Sequence, residues 1–200
     1  ARDLPINEDS TIVSCCKDVE EWSSVTNKIL LWDYVIQFKN LVSPFPNMHV
    51  LQPNIAYLAD NDVNAMFQQG NREVGGEFAE LRAYIIAKLL WNPYRDVETI
   101  MDDFLGGYYR EAGPYLKEYI KMQEKALLES GMKLNIFGNP IAAKETYLSV
   151  ALVEQYNQLF DIAEKAVANQ PEVLERVKIA RLPLLYAELE IARSEGTSER

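Results

Sequence analysis

Residues 28–34 (KILLWDY) constrain the fold of this chain more tightly than any other stretch. The aliphatic run at 29–31 is too short for a helix and suits a strand buried on both faces, as in a parallel sheet. It stops at Trp32, Asp33 and Tyr34, and an aromatic, proline-punctuated connection through Phe38, Pro44, Phe45 and Pro46 follows. Residues 48–61 then read as a helix that accepts Pro53 in its first turn. Asn61-Asp62 is a turn, and 63–67 (VNAMF) is a second strand. Strand, crossover and strand make one βαβ unit with a parallel pair. In α/β folds ligands gather at the carboxyl ends of such strands, so the residues leaving them are the first candidates for function.

The rest of the pattern is helical. Residues 17–25 form a short amphipathic helix. Residues 77–91 carry a wide apolar stripe of Phe78, Leu81, Tyr84, Ile85, Ile86 and Leu89, with Glu77 and Glu80 in the first turn, where the helix dipole favours them. Asp96 caps a helix ending near Gly106-Gly107. Further helices span 112–130, 150–169 after Ser149, and 171 to about 193, the last kinked at Pro183. Residues 133–137 read as extended. The fold class is therefore helix-rich α/β, with a strand-bearing segment over 1–93 and a helical region over 94–200.

With 48% apolar and 25% charged residues, 200 residues can bury a core. A net charge of −10 without a basic block argues against a nucleic-acid partner and against adhesion to an anionic membrane. No apolar run approaches the roughly 18 residues of a spanning helix. The two cysteines, Cys15 and Cys16, are adjacent, which gives neither a disulfide framework nor a zinc or redox motif. The opening ARDLPINEDST reads like the middle of a protein.

Trp32, Asp33 and Tyr34 form the leading constellation. An indole face stacks on the apolar face of a sugar ring, and a carboxylate accepts hydrogen bonds from its hydroxyls. The competing reading makes Trp32 core and Asp33 a turn cap or a lysine's partner. Gln68, Gln69 and Asn71 follow the second strand; amides both donate and accept, as sugar recognition requires, or else they satisfy the backbone of a tight loop at Gly70. Glu77 faces the same crevice or simply complements its helix. Asp33 and Glu77 are the only carboxyl pair to consider for glycoside hydrolysis, which needs two such groups flanking the bond. His49 reads as structural, and neither Asp60-Asn61-Asp62 nor Asp102-Asp103 has metal-ligand spacing.

In order, LWDY, PFPN, QPNI, FQQGN, GGEFAELRAYIIAKLLWNP and FLGGYY, with ARLPLLYAEL near the end, resemble the C-terminal part of a family of bacterial glycan-foraging proteins. That largely uncharacterised family is classed as glycoside-hydrolase-like, akin to α-glucuronidases and β-hexosaminidases, and the resemblance runs over residues 28–193. It implies a (β/α)8 barrel followed by helices, of which this chain would hold the last strands and the helical tail. A whole barrel takes about 250 residues, so the sheet would be partial and its open edges would invite a second copy. The resemblance also implies an oligosaccharide or polysaccharide partner, no cofactor, and a secreted, periplasmic or cell-surface location. The family pattern implies a glutamate where this chain has Gln68. That departure favours carbohydrate binding over turnover. The alternative is a helical interaction module whose sheet pairs with another chain.

Overall fold

The computed structural model describes residues 3–10, 13–70 and 75–198. Strand β1 (Ile29–Tyr34) pairs in parallel with β2 (Val63–Gln69), and α2 (Met48–Asp60) is the crossover between them. This is the βαβ unit expected from the two apolar runs. Helix α1 (Val13–Val25) precedes it, and α3 (Ala79–Trp91), α4 (Val97–Tyr108), α5 (Gly113–Ser130), α6 (Val150–Ala166) and α7 (Pro171–Ser198) follow. Helix α7 runs on through Pro183 rather than ending at 193. Residues 133–137, expected to be extended, form no strand; instead the Ile136 carbonyl accepts from the amides of Phe38 and Lys39 at 2.7 and 3.3 Å.

Two expectations are corrected. Among the described residues the sheet has two strands only, so the chain is a helix-rich protein and not a partial (β/α)8 barrel. Beyond Gln69 the apolar residues recur at helical spacing and bury as helix stripes, leaving no alternating segment to extend the sheet. Nor is the sheet buried on both faces. Ile29, Leu31 and Met66 pack with Val19, Tyr57 and Leu58 of α1 and α2. Leu30 and Trp32, on the opposite face, stay 69% and 59% exposed. Successive strand side chains point to opposite faces, and helices cover just one of them.

The main core is helical. Leu81, Ile85 and Leu89 of α3 are fully buried, and around them pack Leu51 and Ile55 of α2, Met101 of α4, Tyr119 of α5, Phe160 of α6 and Val177 of α7. It draws on residues either side of position 93. Local signals set the helix ends: the Asp96 carboxylate accepts from the amides of Glu98 and Thr99, at 2.9 Å from Thr99, and Gly131 closes α5 at φ +65°. The result is a helical block that carries a small sheet on its flank, with one sheet face to solvent.

Candidate functional site

Register pairs Trp32 with Phe67, Asp33 with Gln68, and Tyr34 with Gln69. Paired residues share a face, so Trp32, Tyr34, Phe67 and Gln69 emerge together on the uncovered side. Their contacts agree. Trp32 meets Phe67 edge-on with ring centroids 5.0 Å apart, lies 6.5 Å from Tyr34, and donates its indole N–H to Gln69 Oε1 at 2.7 Å. Tyr34 in turn meets Phe38 edge-on at 4.9 Å. Such edge contacts hold rings in place while leaving faces open.

Asp33 leaves β1 on the other side. Its Oδ1 accepts the Tyr34 amide at 2.8 Å. Burial first, and then neighbouring negative groups that include Asp33, push the Cys15 thiol of α1 up from its ordinary value. The pleat thus parts Asp33 from Trp32 and Tyr34, although the three are consecutive in sequence.

Beside the aromatic surface a cleft of about 670 Å³ opens between the end of β2 and one face of α3. Gln68, Gln69 and Gly70 line one wall, and Ala79, Ala83 and Ala87, at four-residue spacing, line the other. Phe67 and Gln69 belong to both the aromatic surface and the cleft, so the two are continuous. Gln68 Oε1 is buried and has no hydrogen-bond partner among the described residues. Asn71 lies outside the described residues.

Glu77 does not face the cleft. It is 6% exposed, and its Oε2 accepts from the Phe45 amide at 2.8 Å and from Arg82 at 3.0 Å. Burial pushes its carboxyl up to about 7, against the pull of the Arg82 guanidinium and the Phe45 amide. Arg82, itself buried, also donates to Asn47 Oδ1 and to the Phe45 carbonyl. The pair pins the proline-punctuated connection to the start of α3. The Arg82 Nε–H has no partner among the described residues, and Arg82 is one of the residues lining the cleft. Neither Asp33 nor Glu77 lines the cleft.

His49 ties distant segments together. Its ring Nε2 lies 2.9 Å from the Asp3 carbonyl, its backbone amide donates to Glu124 Oε1 at 3.0 Å, and its Nδ1 lies 3.6 Å from that same oxygen. Among the described residues no group of three or more His, Cys, Asp or Glu side chains is arranged to hold a metal ion.

Sequence reasoning missed Arg82, Phe67 and Phe38 as parts of this site. Arg82 carried a readable signal: it lies four residues after Phe78 and three before Ile85, on the apolar stripe, where a charge requires a buried partner. Phe67 was legible as an aromatic one step from Gln68 on an alternating strand. Its pairing with Trp32 depended on a register that no local pattern specified.

Comparisons with curated proteins and with solved structures found no match. No described helix is long and apolar enough to cross a membrane. A family described as a domain of unknown function, DUF4838, matches residues 1–121. The match takes in both strands, the aromatic surface, the cleft and the Glu77–Arg82 pair, and it ends within α5. Spanning more than half of the chain, it shows that this protein belongs to the DUF4838 domain family.

Proposed function

We propose that this chain binds carbohydrate on the uncovered sheet face, as part of a glycoside-hydrolase-like protein acting outside the cytoplasm, with little or no catalysis of its own. One observation carries the reading: Trp32, Tyr34 and Phe67 stay 59%, 39% and 50% exposed while held in mutual ring contact. Aromatic surfaces of this kind stack against the C–H faces of sugar rings. Gln69 stands at their edge with an amide nitrogen able to donate to a hydroxyl while its oxygen fixes the indole. The motif order from LWDY to FLGGYY supports the same class by resemblance. Gln68 in place of a glutamate, and Glu77 enclosed by Arg82, support binding rather than hydrolysis.

Titrating the chain with oligosaccharides by calorimetry, whose signal does not depend on Trp32, tests this. Trp32→Ala is expected to weaken binding at least about tenfold while the far-UV circular dichroism stays helical. Undiminished affinity in that variant removes the aromatic face from the site.

A second reading is favoured by a different observation. Among the described residues both outer edges of the sheet lack a strand partner. Open edges are templates for strand addition, so the sheet would pair with another chain. Light scattering decides it: mass rising with concentration supports pairing, and a strict monomer at high concentration contradicts it.

A further inference from the structure

We infer that the cleft between β2 and α3 is a second subsite that takes an uncharged, hydroxylated sugar unit and discriminates against acidic ones. This rests on the carbohydrate reading and extends it from the aromatic face to the adjoining wall.

Continuity comes first. Phe67 and Gln69 serve both surfaces, so a ligand stacked on Trp32 extends directly into the cleft. About 670 Å³ is room for one or two sugar rings on the scale of ordinary ligand sites. Small side chains at Ala79, Ala83 and Ala87 make that room, since any larger residue at those positions would project into it.

Polarity comes second. The cleft is mostly apolar, and two of the residues lining it carry a buried polar atom that lacks a partner among the described residues, Arg82 Nε and Gln68 Oε1. One donates and the other accepts. Both residues line the cleft, and Gln68 is only half-buried, so a change of side-chain rotamer would turn its amide to a ligand there. A sugar hydroxyl is donor and acceptor at once and would satisfy either atom once it is turned to the cleft, removing the penalty of leaving it buried and unpaired.

Charge decides the class. Arg82 offers the cleft no free cation, because its guanidinium is buried and engaged by Glu77 at 3.0 Å, by Asn47 Oδ1 and by the Phe45 carbonyl. A carboxylate or sulfate entering here would find one donor, an opposing amide oxygen and a buried carboxylate behind it. The net charge of −10 adds long-range repulsion. An uncharged unit meets none of these penalties.

The experiment titrates the full chain with uncharged gluco-, xylo- and manno-oligosaccharides and with oligogalacturonides of equal length, by calorimetry at about 0.15 M salt, where surface charge is largely screened. Three variants accompany it: Trp32→Ala, Gln68→Met, which deletes the acceptor at a half-buried position, and Ala83→Phe, which fills the cleft from an exposed one. The expected result is binding of at least one uncharged series. Affinity for it should fall about tenfold in Gln68→Met and in Ala83→Phe, both with unchanged circular dichroism. Tighter binding of oligogalacturonide overturns the inference. So does loss in Trp32→Ala without loss in either cleft variant, which leaves the aromatic-face reading standing. No binding of any sugar by the parent chain overturns both.

Discussion

Glu77 and Arg82 show how a charged pair can be held in a core by contacts to the backbone and to each other. Each is nearly inaccessible, and the carboxylate has two donors while the guanidinium spends three contacts on Glu77, Asn47 and Phe45. Taking two ions out of water is expensive, and removing one of them is worse, because the other stays buried alone. Arg82→Met is therefore expected to destabilise the fold by about 3 to 5 kcal/mol in urea unfolding. Adding Glu77→Gln to that variant should recover a large part of the loss. An Arg82→Met chain as stable as the parent would show that the pair does not hold the proline-punctuated connection onto α3. At this scale the sequence was a partial guide. It put Glu77 at a helix start beside a glycine pair, but only the tertiary structure turned it inward to a partner five residues on.

The elements are set by short-range signals and then adjusted by close contacts between them. Helices α4 and α5 meet where Gly113 begins α5, and a β-carbon there would lie 2.9 Å from the Leu105 carbonyl oxygen. Backbone cannot yield as a flexible side chain does, so Gly113→Ala should lower the melting temperature. Gly106, in the last turns of α4, has nothing within 4 Å of an added β-carbon. Gly106→Ala should stabilise by about 0.5 to 1 kcal/mol, because glycine loses more backbone freedom in a helix than alanine does. The opposite ranking in parallel thermal melts would refute the close approach of the two helices. The sheet follows the same division. Two apolar runs at the right separation announced a parallel βαβ unit, whereas the bareness of its Leu30–Trp32 face depended on where the helices came to rest.

Across the whole molecule, His49 and Glu77 give the stability a common slope with pH. Burial disfavours the His49 charge, but the Glu124 carboxylate and the Asp3 carbonyl outweigh it and hold the imidazole above its ordinary value. Its contribution is complete below the unfolded value near 6.5 and is lost as pH rises through the folded one. Glu77, pushed up to about 7 from an ordinary 4.5, binds a proton more readily folded than unfolded, so stability also declines as pH rises between those values. Glu124 acts oppositely: burial raises its carboxyl, His49 and Lys121 more than compensate, and the net lowering is a contribution lost only as pH falls below about 4.5. The urea midpoint should therefore be highest near pH 5 and fall towards pH 8, with the decline reduced in Glu77→Gln. A midpoint that climbs over this range would contradict both assignments. The same histidine joins the N-terminal segment to α5, and Lys133 repeats the join through Asp3 and Asp9 at 2.9 and 3.4 Å. Residues remote in the chain thus share one stability profile.

Sequence alone determined the main helices, the Asp96 cap, the parallel strand pair and the aromatic character of the strand ends, because periodicity, capping and turn chemistry act within a few residues. It also placed Trp32 and Gln69 among the candidates. What it could not determine was which candidates meet. The barrel implied by resemblance gave way to a helical block with one two-stranded sheet. The strand pleat sent Asp33 away from Trp32, and the fold brought Arg82 and Gln68 into the lining of one cleft. Those outcomes depend on register and on packing between segments dozens of residues apart, which only the folded chain brings together.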